Sequence, residues 1–348
     1  MAERGAGLMS SAPLILAVET SCDETAAAVV QGRVVLSNVI ASQAEMHAPY
    51  GGVVPEVAAR HHIGTVNGVV DAALTDAGVS LGDIERVAVT QRPGLIGALL
   101  VGVATAKALA YARRLPLAMV DHLHGHILAT WLEPLALDPP FVSLIASGGH
   151  TRLDLVNDPT SPQLLGQTLD DAAGEAIDKG ARTLGLEYPG GPALDRLARG
   201  GDATAFEFPI GLQGRGGYDF SFAGVKTALL YKLRELGQPA GPVRADLAAS
   251  YQEAIMRPLA DRLIGAALEH HVSAVTIGGG VAANSRLRVL VHEAASCNGL
   301  RVAMPDFSLC TDNAAMIGAA AQFTAPIPYP EYIGMDAIAT TPPGGIAA

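Results

Sequence analysis

Three of the ten histidines fall within five residues, in Asp121-His122-Leu123-His124-Gly125-His126. Imidazoles at that density can ligate a transition metal or relay protons. On a helix capped by Asp121, His122 and His126 stand four residues apart and share a face, with His124 directed elsewhere. On a strand, all three would share a face. The following residues ILATWLEPL continue with helical spacing, so a helix is expected. The bare spacing fits a hydrogen-bonded histidine cluster equally well. Leu123, not glutamate, follows the first histidine, so the general base of an HExxH zinc protease is missing.

A second group of candidates is made of glycine. The loops Ile145-Ala146-Ser147-Gly148-Gly149, Tyr188-Pro189-Gly190-Gly191-Pro192 and Gly278-Gly279-Gly280 follow strands or a helix. Each can turn backbone N–H groups toward an anion. One such loop is usually only a turn; three, spread over the chain with the Thr20-Ser21-Cys22-Asp23-Glu24-Thr25 turn, fit a nucleotide held in a cleft. Neither GxxxxGK[ST] nor a GxGxxG after a strand is present, which excludes a Walker A loop and a Rossmann fingerprint. Acidic residues complete the set. Asp170-Asp171 opens a helical stretch where carboxylates cap, and Glu175 and Asp178 share a helix face. Asp195 is within reach of a ribose hydroxyl. Asp312 begins the last helical stretch as either an N-cap or a metal ligand.

The elements that must position these residues alternate in type. Residues 14–40 read as three short strands separated by turns, and residues 141–169 repeat that plan. Helical stretches are expected at 56–78, 97–114, 171–185, 222–236, 243–271, 283–296 and about 312–323, with strands at 86–90, 115–120, 273–277 and 301–304. The class is therefore α/β, in two lobes with a cleft between them. The chain has 348 residues, 39 of them glycine, and a formal net charge of −11. That charge argues against a protein that gathers nucleic acid by its overall field. Its three scattered cysteines, Cys22, Cys297 and Cys310, form no CxxC pair and read as reduced thiols of a cytoplasmic protein. The most apolar run, residues 93–106, stops at Lys107 and reads as a core helix, so no membrane association is expected.

The motifs together resemble the tRNA threonylcarbamoyladenosine transferase (TsaD) family, formerly described as O-sialoglycoprotein endopeptidases, over nearly the whole chain. They are VETSCDETAAAVV at 18–30, Ser42-Gln43, YGGVVPEVAARHH at 50–62, PGLIGALLVG at 93–102, the 122–126 histidines, SGGHT at 147–151, LDDAAGEAIDK at 169–179, YPGGPALD at 188–195, DFSFAGVKTA at 219–228, GGGVAANSRLR at 278–288 and DNAAMIG at 312–318. The resemblance implies an actin-like ATPase (duplicated RNase H-like) fold with a nucleotide cleft between lobes. The expected divisions are a segment without fixed structure at 1–13, a first lobe at 14–138 carrying the metal-binding HxxxH helix, a second lobe at 139–324 carrying the nucleotide loops, and a coil tail at 325–348. It implies His122, His126 and Asp312 as ligands to Fe(2+), with Zn(2+) tolerated by the same set. It implies Ile145, Ala146, Ser147, Gly148, Gly149, Asp178, Gly191, Asp195 and Asn284 around threonylcarbamoyl-AMP or ATP, and Glu19, Ser21 and Glu24 at the reacting end.

The activity so implied is transfer of the threonylcarbamoyl group to N(6) of the adenosine just 3′ of the anticodon, in tRNAs reading codons that begin with A, with release of AMP. Expected partners are the tRNA, a catalytically silent TsaB-like paralogue, a small TsaE-like ATPase and a separate synthase that makes the adenylate. The alternative is a small-molecule kinase or ATPase of the same superfamily, which would need a catalytic Asp and no HxxxH. Two residues depart from the family pattern: His124 stands where relatives often carry Glu, and Arg92 where glycine is usual. Arg92, Arg182, Arg215, Lys226 and Arg286 are the basic residues proposed to meet RNA phosphate.

Overall fold

The computed structural model describes residues 12–237 and 239–340. Residues 1–11 and 341–348, parts of the two terminal segments set apart above, lie outside the described residues. The first half runs β1 (Leu14–Glu19), β2 (Glu24–Gln31), β3 (Val34–Ser42), α1 (Ala44–His47), α2 (Pro55–Asp76), β4 (Arg86–Arg92), α3 (Ile96–Arg113), β5 (Leu117–Asp121) and α4 (His122–Leu128). The second runs β6 (Phe141–Ala146), β7 (Thr151–Val156), β8 (Gln163–Gln167), α5 (Ala173–Thr183), α6 (Gly190–Ala198), α7 (Ala223–Leu236), α8 (Gly241–Glu269), β9 (Ala274–Gly278), α9 (Ser285–Cys297), β10 (Arg301–Ala303), α10 (Phe307–Cys310) and α11 (Ala314–Ala321).

Each half builds one five-stranded sheet, in the orders β3-β2-β1-β4-β5 and β10-β9-β6-β7-β8. In both, the first three strands form an antiparallel meander and the last two join in parallel. The plan repeated in the sequence is thus one topology used twice. The turns after β1 and β6 lie at equivalent ends of the two sheets, and both face the cleft.

Strand β1 is buried along its whole length because helices cover both faces. Its side chains alternate accordingly: Leu16 and Val18 pack with Val66 and Val70 of α2 and Val103 of α3, whereas Ile15 and Ala17 pack with α11. Helix α3 is long and apolar enough, by length and composition alone, to cross a membrane. Here it turns Ala98, Leu99, Val103, Ala106 and Ala110 into the protein. Helix α11, AAMIGAAA, falls in the second lobe by chain position, yet it packs on the first sheet through Ala17, Ala28 and Val30. Its small side chains let backbone approach backbone.

Residues 326–340, expected to be coil from their prolines and lack of periodicity, have irregular backbone and are tied across the first lobe. Ile327 pairs with Leu117 in an antiparallel bridge, and Tyr332 is fully buried in the first-lobe core. The Ile338 amide donates to the Gln91 carbonyl at 2.9 Å, and Gly94 N–H to Ala339 at 3.2 Å. Single anchoring side chains hold an irregular backbone, so no period marks it in the sequence.

Candidate active site

Between the sheets lies a cleft of about 1050 Å³. One wall is the β1–β2 turn with Ser21, Cys22, Asp23 and Glu24; the opposite wall is the β6–β7 turn with Ser147, Gly148, Gly149 and His150. His122 and Asp312 close one end, and residues 48–53 and Tyr188 form further sides.

The histidine segment is a helix, and Asp121 caps it by accepting from Leu123 N–H at 2.9 Å. His122 and His126 therefore share a face, their rings meeting edge to face at 4.6 Å. His124 points away and hydrogen-bonds the Pro159 carbonyl at 2.6 Å, so it does not compete for the site. Asp312 Oδ1 lies 3.4 Å from His122 Nε2 and 3.2 Å from His126 Nε2. It is available because Asn313, not Asp312, caps α11, accepting from Met316 N–H at 3.0 Å. His122 Nδ1 in turn meets Glu19 Oε2 at 3.0 Å and Ser21 Oγ at 3.2 Å.

Donor chemistry decides whether a cation fits. Two imidazole nitrogens and one carboxylate oxygen lie within 4.8 Å of one another, and His122 and Asp312 border the cleft, which leaves one side open to a ligand. The outer nitrogen of His122 is held by a buried carboxylate, as outer nitrogens of metal-bound histidines commonly are. The set suits Fe(2+) or Zn(2+). In the metal-free protein, burial opposes charge on His122, but Asp312 and Glu19 raise its pKa well above the usual value. Burial likewise opposes ionisation of Glu19 and Asp312, and His122 overcomes it, lowering both. Glu24 lacks such a partner: burial, Asp312 and Asp23 push it up to about 10, so it is protonated at neutral pH.

The opposite wall offers backbone. The β6–β7 turn is closed by Ser147 N–H donating to His150 O at 2.8 Å, and among the described residues nothing occupies the space a side chain at Gly148 or Gly149 would take. Gly279, with φ +83°, lets its loop approach so closely that a Cβ would lie 2.4 Å from the Ala146 carbonyl oxygen. On the first wall, a Cβ at Gly94 would lie 2.6 Å from Ser21 O, and that carbonyl accepts from Leu95 N–H at 2.8 Å.

Of the residues singled out from sequence, Ser21, Glu24, His122, Ser147, Gly148, Gly149, Asp178 and Asp312 border the cleft. Glu19 and His126 stand buried directly behind them. Ile145 and Ala146 are buried strand residues that carry the glycine turn. Gly191 gives its N–H to Asp178 at 3.2 Å. Asp195 and Asn284 do not border the cleft: Asp195 binds Ser285 Oγ at 2.7 Å and Arg199 at 2.8 Å, and Asn284 caps α9 and donates to Gln252 at 2.9 Å. Their polar atoms hold α6 to α9 and α9 to α8. Asp170 does not cap α5; it accepts from Phe222 N–H at 2.7 Å, at the start of α7. Among the basic candidates, Arg92 pairs with Asp121 at 3.1 Å and thus braces the cap of the histidine helix, while Arg286 is tied to Glu253 at 2.6 Å.

Sequence reading assigned no role to a buried polar cluster beneath the β1–β2 turn. His62 bridges Thr25 Oγ1 at 2.7 Å and the Cys22 carbonyl at 2.9 Å, and Gln43 joins it to His47. These residues come from separate stretches, Cys22 and Thr25 on the turn and β2, Gln43 and His47 around α1, and His62 on α2, and only the folded chain brings them together. His150 was also passed over; burial and the two nearby histidines lower it to about 4.

The chain is similar to known proteins at two levels. The family model for "TsaD: tRNA N6-adenosine threonylcarbamoyltransferase" matches residues 34–319. Proteins of that name from Thermosynechococcus vestitus and Cyanothece sp. are 54% and 52% identical, each match covering 88% of this chain and 89% and 90% of the relative. One from Anaeromyxobacter dehalogenans is 53% identical, over 88% of this chain and 92% of that one. Among solved structures, full-length HypF in its phosphate- and nucleotide-bound form aligns at TM-score 0.60 and 15% identity, over 90% of this chain and 47% of HypF. The activator of 2-hydroxyisocaproyl-CoA dehydratase from Clostridium difficile aligns at 0.50 and 13%, over 89% and 93%. These remote likenesses carry the actin-like ATPase fold alone. On the family match and its full-length relatives, the chain belongs to the tRNA N6-adenosine threonylcarbamoyltransferase (TsaD) family.

Proposed function

We propose that this chain transfers a threonylcarbamoyl group from threonylcarbamoyl-AMP to N(6) of the adenosine 3′ of a tRNA anticodon, in tRNAs reading codons that begin with A. The amine attacks the carbamoyl carbon, the bond from that carbon to the phosphate oxygen breaks, and AMP departs with the electron pair while the amine proton passes to solvent. The observation that carries this reading is the facing of two unlike walls across one cleft: a histidine–carboxylate cluster on one and an open glycine turn on the other.

His122, His126 and Asp312 would hold Fe(2+), or Zn(2+), whose Lewis acidity would polarise the carbamoyl carbonyl. Glu19 fixes the orientation and charge of the His122 ring, and Thr90, donating to Glu19 Oε2 at 2.5 Å, fixes Glu19. Ser21 Oγ, beside His122, offers a hydroxyl at the cleft surface. Glu24 borders the cleft on the same turn as Ser21. The amides of Gly148 and Gly149 would take the phosphate, and Asp178 would take a ribose hydroxyl. We place the protein in the cytoplasm, working with a silent paralogue, a small ATPase and a separate adenylate synthase.

Incubation with threonylcarbamoyl-AMP, tRNA and the paralogue and ATPase partners, followed by nucleoside mass analysis, tests this reading: modified adenosine and AMP are expected in equal amounts. Phosphoryl transfer from ATP to a small molecule, with ADP as product, would favour the kinase reading instead.

A further inference from the structure

Beside the cleft mouth, helices α5 and α7 enclose a groove of about 330 Å³ lined by Lys179, Arg182, Thr183, Lys226, Thr227 and Leu230. Lys179 and Arg182 also border the cleft, so the groove lies beside it. In a chain with 23 basic residues and a net charge of −11, three cations on one small surface stand out. Asp171 organises two of them, meeting Lys179 Nζ at 3.2 Å and Lys226 Nζ at 2.6 Å. Glu175 also pairs with Lys179, at 2.5 Å. Asp178, on which the Arg182 charge acts, adds a third carboxylate, so a phosphate arriving here would take over cations that carboxylates already hold in place. The threonine hydroxyl protons are already committed to helix carbonyls, Thr183 to Lys179 at 2.7 Å and Thr227 to Ala223 at 3.1 Å. The recognition chemistry is therefore cationic. On the exposed side of α7 next to the groove, Tyr231 is 62% exposed, offering a ring on which a ribose or base can stack.

We infer that this groove seats the sugar-phosphate backbone of the RNA substrate, with Lys226, Arg182 and Lys179 taking phosphate oxygens. The inference rests on the proposed function, because it names the surface that delivers an RNA to that cleft. Ammonium groups already gathered by Asp171 need little reordering when a phosphate arrives, and each phosphate neutralised releases condensed counterions.

The test is equilibrium binding of a labelled tRNA anticodon stem-loop to the full chain over a salt series, which needs no turnover. Lys226→Glu is expected to weaken binding about tenfold at physiological salt and to reduce the slope of log affinity against log salt by about 1. Asp171→Asn, which frees Lys226 and leaves Lys179 with Glu175 alone, is expected to tighten binding about threefold, a gain that misfolding cannot mimic. Unchanged affinity and slope in both variants would overturn the inference, as would a wild-type chain that binds no RNA even at low salt. A wild-type chain that binds the stem-loop but transfers nothing would instead count against the proposed function and leave the groove standing.

Discussion

The two lobes share one strand order but differ at the turn each presents to the cleft. The β1–β2 turn is built from side chains: Glu19, Ser21 and Thr25 are buried, and their hydrogen bonds run to His122, Thr90 and His62. The β6–β7 turn is built from backbone, with Gly148 and Gly149 exposed. One topology thus supplies two kinds of surface. The first places charge and donor atoms where chemistry requires them; the second offers amides to whatever anion lies across from them. A duplicated fold can divide a reaction between its halves simply by what it puts in equivalent turns.

Breaking the first wall should cost most. His122→Ala should abolish stoichiometric iron or zinc in the purified protein and reduce threonylcarbamoyl transfer by at least about 10³-fold, read by metal analysis and nucleoside mass. Next comes the packing beneath the second wall: Gly279→Ala forces a side chain at φ +83° into the Ala146 backbone and should destabilise the fold by about 2–3 kcal/mol in urea melts. Glu19→Gln, which keeps shape but removes the charge behind His122, should weaken metal affinity by about 10–100-fold, measured by competition with a chelator.

The metal-free protein should also show a pH signature of the first wall. His122 is raised, so its contribution to stability is fully present below its unfolded value of about 6.5 and is lost as pH rises through its folded value. Glu19 and Asp312 are lowered, so theirs is present above about 4.5 and is lost as pH falls through their folded values. Thermal melts without metal should therefore peak between about pH 4.5 and 6.5, and added metal should move the optimum upward because ligation requires neutral imidazoles. The smallest effect belongs to the second wall: Gly148→Ala meets open space, so stability should change by less than about 0.5 kcal/mol while nucleotide affinity falls.

The legible part of this molecule was what local pattern controls. Apolar runs broken by turn residues in 14–40 and 141–169 announced the paired meanders, and the His122/His126 spacing announced a shared helix face with His124 turned away. Family motifs then marked which loops meet. What stayed hidden depends on competition between neighbours for the same role. Asp312 and Asn313 both cap well, and only packing of α11 shows that Asn313 does so. The partners of Asp195 and Asn284 are equally illegible: Ser285, Arg199 and Gln252 reach them only in the folded chain. Arg92 reads as a cleft cation, but Asp121, distant in sequence, claims it. The strap after Ala325 escaped notice because isolated anchors such as Tyr332 leave no period.

The central claim is that the histidine–carboxylate wall acts on a group held by the glycine wall. The most direct measurement is single-turnover transfer by metal-loaded wild-type and His122→Ala proteins, with threonylcarbamoyl-AMP, tRNA and the paralogue and ATPase partners, scored by nucleoside mass together with bound metal. The account predicts one modified adenosine per AMP released by the wild type, and loss of both metal and transfer in the variant. Full transfer by a metal-free His122→Ala protein would contradict it.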